Sequence, residues 1–236
     1  MLLFYVRHGD PIYNPDSLTE LGEKQAEALV SRMKVCNPEK IYASSSNRAI
    51  MTATPTAKAL GKEIEILDWC NESYSGKALF YTGSDGSRDW IFRHRESRPV
   101  LVSDEVRKLD YEWYKHPFFD KMPWLCDEMA RIRRETDAFM LSLGYRHEGN
   151  GYIAERPNDD RVALFAHQGF GLEFLSTLLD IPYSQFATRF DMGHSGMTVI
   201  EFAGDGFVVP KVLQLSNDSH LFASNIETKY NNEILF

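Results

Sequence analysis

Three short apolar runs, LLFYV (2–6), KIYASS (40–45) and RVALFA (161–166), each give way within a few residues to a stretch of helical periodicity. This alternation limits the chain to few folds. A continuous run of aromatic and β-branched residues reads as a strand buried on both faces. Such a strand needs helices above and below it, so the pattern predicts a largely parallel sheet covered on both sides. EIEIL (63–67) and GMTVIEF (196–202) supply further strands, and FVVPKVLQL (207–215) a last one, with Pro210 favouring a sheet edge. The expected fold is α/β, a three-layer α/β/α sandwich with a mostly parallel sheet.

The helices carry their own signals. Ser17 and Glu20 fit a capping box before a helix whose Leu21, Ala28, Leu29 and Met33 share one face. Ser46 is placed to cap RAIMTATPTAKAL, Pro55 is expected to bend or break that helix, and Gly61 sits where a helix terminates. GLEFLSTLL (171–179) is a further helix. The alternation fails from about Asp68 to Asn158, a region rich in Trp, Tyr, Phe, Arg and His. Its one clear helix spans about 126–143, ends at Gly144, and places Leu125, Met129, Ile132, Phe139, Met140 and Leu143 at helical spacing. YRHEGNGYIAE (145–155) reads as a hairpin. With no repeat or flexible linker, the chain is expected to be a single domain, 1–236, with a cap insertion at about 77–158 after the third strand.

Composition excludes several classes. The net charge of −8 argues against a nucleic-acid surface, which needs a basic stripe. No apolar run reaches the ~18 residues of a membrane span. Cys36, Cys70 and Cys126 are odd in number and widely spaced, which indicates neither a zinc site nor a disulfide framework. The setting expected from this is reducing and cytoplasmic. MLLFYVRHGD lacks the basic start of a signal peptide and reads as the first strand.

The ends of the strands carry the chemistry. In open α/β sheets ligands bind beyond the carboxyl ends of the strands. Here the first strand ends in Arg7-His8-Gly9, the second leads through three serines to Arg48, and RVALFA ends in His167-Gln168-Gly169. Glu72 follows the third strand in WCNESYSG. Two histidines, two arginines and a glutamate are thus expected in one crevice. A neutral imidazole with its second nitrogen held by a carbonyl is a nucleophile toward phosphorus. A glycine after it leaves room for a phosphate to approach. Guanidinium groups bind phosphoryl oxygens bidentately, and a protonated second imidazole adds charge. A carboxylic acid can protonate the leaving oxygen. Arg48 at a helix start opposes the helix dipole, which points to an anionic partner. A metal on His8, His167 and His194 is not expected: no two share a local ligand spacing, and two arginines in the crevice repel a cation. Cys70 is read as packed. The cluster IFRHRESRP (91–99) is either a solvated face or a site for a second anionic group of the substrate.

Arg7-His8-Gly9 after an N-terminal strand, Asn14, LTELG (18–22), SSSNRAIMTA (44–53), NESYSG (71–76) and AHQG (166–169), in this order, resemble the histidine phosphatase superfamily of phosphoglycerate mutases and their phosphatase relatives. The resemblance covers about 1–76 and 160–220. It implies that His8 is the phosphorylated nucleophile, that Arg7, Arg48 and His167 hold the phosphoryl group with Asn14 assisting, and that Glu72 donates the proton. Gly9, Gln168 and His194 are expected at the substrate. The resemblance implies a small phosphorylated substrate, with no metal and no cofactor. The chain departs from the family's pattern at Asp10, usually Glu, at Pro11, usually Thr or Ser, and at Gln168, which separates His167 from Gly169. Ser73 and Ser75 stand where mutases carry Arg and Tyr, and the mutase double arginine is not evident, Arg133-Arg134 lying on the middle helix. These favour a phosphatase over a mutase. A phosphoryl-binding module without turnover is the alternative of another class. Substrate identity and the choice between monomer and homodimer stay open.

Overall fold

The computed structural model describes residues 1–228, 230 and 231. Among them is a six-stranded sheet built from β1 (Leu2–Arg7), β2 (Lys40–Ser44), β3 (Ile64–Leu67), β4 (Arg161–Ala166), β5 (Met197–Glu201) and β6 (Lys211–Asn217). The spatial order is β6-β5-β1-β4-β2-β3. Neighbours from β1 to β3 are parallel, and β5 and β6 join antiparallel. Helices α1 (Glu20–Cys36), α2 (Asn47–Leu60), α3 (Glu72–Leu79), α4 (Leu125–Ser142) and α5 (Gln168–Leu178) cover it. This is the three-layer arrangement that the alternation predicts.

Alternate residues of each strand feed the two faces. Phe4, Val6, Ile41, Ala43, Ala163 and Phe165 pack against Leu29 and Met33 of α1 and Ala53 and Ala57 of α2. Leu3, Tyr5, Tyr42 and Leu164 face the other way, toward Phe139 of α4 and Phe170 and Phe174 of α5. Each fully buried side chain of this kind contributes about 1.5–3 kcal/mol. The middle helix therefore belongs to the core: the ring of Phe139 meets Tyr42 edge-on at 5.3 Å. After α3 the chain forms the hairpin of Phe80–Thr82 with Arg88–Trp90 and then the short helix Ser97–Leu101.

Several local expectations are corrected. The cap of α1 is Thr19, whose hydroxyl accepts from the Gly22 amide, because Ser17 is taken up in a small hairpin of Pro11–Tyr13 with Asp16–Leu18. Leu21 and Ala28 are half-buried; Gly22, Gln25 and Ala26 complete the buried face with Leu29 and Met33. Ser46 occupies the cap position of α2 without a side-chain bond, and the Asn47 amide donates instead to Asp16 Oδ2 at 2.7 Å. Pro55 lies inside α2 without ending it, and Gly61 closes it with a positive φ of 63°. FVVPKVLQL is two strands. Gly206–Val208 pairs with Gly151–Ala154, whereas β6 edges the main sheet. Pro210, lacking an N–H, lies in the gap where the chain changes sheets. The hairpin at Tyr145–Glu148 and Gly151–Ala154 forms as expected. No helix among the described residues is long and apolar enough to cross a membrane.

Candidate active site

Strand register brings the motifs together. Arg7 pairs with Ala166, so the next residues, His8 and His167, leave the sheet side by side with ring centroids 5.2 Å apart. The His8 backbone is fixed from both sides: its N–H donates to Ala166 O and its carbonyl accepts from Ser195 N–H. The imidazole is then held by its own neighbour, Nδ1 lying 2.7 Å from the Gly9 carbonyl. That contact makes Nδ1 the protonated nitrogen and leaves Nε2 with its lone pair. Burial, then the Arg7 cation and His167, hold the His8 pKa well below the ordinary histidine value, so the ring is neutral.

His167 is fully buried at the start of α5. The buried Tyr5 hydroxyl bonds both its backbone N–H and its carbonyl, and Nε2 lies 2.7 Å from the Ser44 hydroxyl at the end of β2. Burial and the two arginines lower its pKa as well. The sequence reading expects a protonated imidazole here; the free site holds it neutral, because burial first and then the two arginines oppose a second positive charge. Its Nδ1 has no hydrogen-bond partner and sits 3.8 Å from Glu72 Oε2, too far for a bond.

Arg48, buried on the first turn of α2, finds its anions in two carboxylates: Asp16 at 2.7 Å and Glu72 at 3.2 Å. Glu72 is not a loop residue but opens α3, capped by Asn71, whose side chain accepts from the Ser73 amide. Its other oxygen accepts the Gly169 N–H at 2.8 Å. Arg7 bonds the Met192 carbonyl, Asn231 Oδ1 at 3.0 Å and His194 Nε2 at 2.7 Å. Since a guanidinium only donates, His194 Nε2 accepts there, and its Nδ1 faces Asp10 Oδ1 at 3.4 Å. Gln168 donates to Asp191. Above these groups lies a cavity of about 330 Å³, whose wall includes Arg7, Glu72, Gln168, His194, Trp90 and Arg93.

Two predicted residues are placed differently. Asn14 is exposed on the hairpin turn and does not line that cavity; Asp16, two residues on, reaches Arg48 instead. Gly9 does not clear space for a ligand. A Cβ there would meet the Gly22 carbonyl at 2.6 Å, and one on Gly22 would meet the Asp10 carbonyl at 2.2 Å. The two glycines let α1 press against the turn after β1, which explains LTELG along with RHG. Cys70 is packed, as expected: burial pushes its thiol up to about 12. Asp16, Trp90 and Asn231 carried no local signal, since each reaches the site only through a partner distant in sequence.

The arrangement suits an anion. His8, Glu72 and His167 also bring ligand-capable atoms within 4.8 Å of one another, a convergence that local spacing did not predict. Arg7 and Arg48 bear directly on both imidazoles, and Arg48 already holds one Glu72 oxygen. A cation would have to enter against two guanidinium groups.

Comparisons with known proteins agree with this picture. Residues 3–82 match the sequence profile of the histidine phosphatase superfamily (branch 1). No curated protein sequence matches the chain. Among solved structures, mycobacterial glucosyl-3-phosphoglycerate phosphatase with inorganic phosphate aligns over 93% of this chain and 98% of its own, at 20% identity and a TM-score of 0.60. Phosphoserine phosphatase from Entamoeba histolytica aligns over 93% and 98%, at 19% identity and 0.59. Alpha-ribazole phosphatase from Shigella flexneri aligns over 92% and 97%, at 17% identity and 0.59. The profile match spans β1 to α3, and the fold is shared with these phosphatases along nearly the whole chain.

Proposed function

We propose that the chain is a phosphomonoester phosphatase that transfers the phosphoryl group of a small metabolite to His8 and then to water, without a metal. The observation that carries this reading is the His8 imidazole, neutral, with Nδ1 bonded to Gly9 O and Nε2 bare beside Arg7, Arg48 and His167. In the first step Nε2 forms a bond to phosphorus as the ester P–O bond breaks, and protonated Glu72 gives its proton to the leaving oxygen. In the second, Glu72 takes a proton from water, the water oxygen attacks phosphorus and the P–N bond breaks, releasing phosphate. Arg7, Arg48 and His167 hold the phosphoryl oxygens through both steps, and catalysis comes from positioning and charge. An arriving phosphate dianion adds negative charge beside the two imidazoles and favours proton uptake by His167.

The solved neighbours named above are phosphatases, which supports hydrolysis over isomerisation. The positions at which mutases bind phosphoglycerate point the same way: Ser73 is exposed and Ser75 is fully buried, and neither lines the cavity. We read the chain as one domain in which the part of 77–158 nearest the site, about 80–101, forms the cap. His194, Gln168 and Arg93 would face the leaving group. Turnover of para-nitrophenyl phosphate is the test: the wild type should be active with or without chelator, and His8→Ala inactive. Activity lost to chelator would overturn the metal-free reading, and an active His8→Ala the nucleophile.

A further inference from the structure

Trp90, the last residue of the cap hairpin, reaches down to the start of α5. A Cβ built on Gly169 would lie 2.2 Å from Trp90 Cη2 and 2.7 Å from Cζ2 and Cζ3, so the outer ring of the indole rests directly on the Gly169 backbone. Gly169 is the residue whose N–H holds Glu72 Oε1 at 2.8 Å. The same indole packs against Phe80, at the other end of α3 from Glu72, with centroids 4.6 Å apart. Next to it, the Ile91 amide donates to the Leu79 carbonyl, the last of α3, at 2.7 Å. One buried ring thus touches both elements that carry the Glu72–Gly169 bond: the N-terminus of α5 and the C-terminal end of α3.

We infer that Trp90 is a positioning residue, which sets the geometry of Glu72 as the proton donor by fixing the Gly169 amide against it. This rests on the reading of Glu72 as the acid. It ties the cap to the chemistry. Gly169 must be glycine because a methyl group would occupy the place of the indole edge, and displacing the indole would shift the amide that holds the carboxyl group. A misplacement of this size is enough to slow proton transfer without altering how phosphate is bound.

The test compares two substrates of similar shape. para-Nitrophenolate leaves without needing a proton, whereas phenolate, with a pKa of about 10 like that of tyrosine, needs one. Read in a single turnover, before the hydrolysis of the phosphoenzyme that both substrates share, Glu72→Gln should slow phosphoryl transfer from phenyl phosphate by about 10²-fold or more and from para-nitrophenyl phosphate far less. Trp90→Phe, which lacks the three outer ring atoms, and Gly169→Ala should show the same selective loss, on the order of 10-fold, with KM little changed. The double variant Trp90→Phe/Gly169→Ala should recover part of what Gly169→Ala loses, because the methyl group enters the space the indole leaves. Equal losses on both substrates, losses in KM alone, or strictly additive effects would overturn the role of Trp90. If Gly169→Ala does not fold, Trp90→Phe decides by its selectivity. If Glu72→Gln is itself unselective, the acid assignment fails; if it is selective and Trp90→Phe is not, the acid stands and the coupling through Trp90 falls.

Discussion

The site has an inner wall of buried groups behind the cavity lining and an outer wall of exposed groups, and the two are held by different means. The inner wall, His8, His167 and Arg48, is buried and held mainly by partners far away in sequence: Ala166 and Ser195 for the His8 backbone, Tyr5 and Ser44 for His167, Asp16 and Glu72 for Arg48. The outer wall is local. Arg93 is 44% exposed and pairs with Asp89 four residues before it, and Arg95, 70% exposed, pairs with Asp85. Exposed pairs of this kind contribute about 0.2–1 kcal/mol each. On the proposed function, the fold fixes the end of the site that meets a phosphoryl group and leaves the end that meets the rest of the substrate adjustable. Trp90 is the exception, a cap residue buried against Gly169.

The largest effects should therefore come from the inner wall. His8→Ala should lower kcat by about 10⁴-fold or more, as expected when a nucleophile is removed. Arg48→Ala should cost about 10²–10³ in kcat, the range for losing a preorganised group that stabilises transition-state charge, and should lower Tm because Asp16 and Glu72 lose their shared cation. Arg93→Ala should leave kcat nearly unchanged and raise KM by about 5-fold at most, in keeping with an exposed charge. A loss in Arg93→Ala as large as in Arg48→Ala would break the comparison.

The comparison also predicts opposite pH responses. Behind His8, His220 bonds the Ser195 hydroxyl and has its pKa lowered to about 4, by burial above all. The unfolded chain takes up the His220 proton first as pH falls below about 6.5, so the stability it provides is complete above that pH and is lost between there and about 4. This amounts to about 3 kcal/mol, with His8 and His167 acting in the same direction. Glu173 on α5 has the reverse sign. It is fully buried, and burial together with the Glu128 carboxylate raises its pKa well above the usual value. Its contribution is present below about 4.5 and is lost as pH rises from there toward the raised pKa. Urea titrations should show Glu173→Gln gaining on the wild type at pH 8 and not at pH 4.5. A variant less stable than the wild type at pH 8 would contradict this.

The inner wall was legible in the sequence because its residues sit where apolar runs stop, and register in a parallel sheet aligns those ends. LLFYV and RVALFA locate His8 and His167 without any knowledge of their pairing. What stayed hidden depends on contacts across the chain. The cap of α1 falls on Thr19 because a hairpin claims Ser17, and FVVPKVLQL divides because its halves have different partner strands. Gly9 looked like room for a phosphate; its neighbour is Gly22. Asn14 had the expected residue type, but the turn carries it outward and Asp16 takes the contact with Arg48. Trp90 looked like one aromatic among many until Gly169 was found beneath it.

The central claim is that His8 Nε2 forms a covalent bond to phosphorus, and rapid quench with radiolabelled substrate tests it most directly. The account predicts a protein-bound label that forms within the first turnover, is lost in acid, survives in base and maps to His8. A burst of free phosphate with no labelled protein, or a label on any other residue, would contradict it.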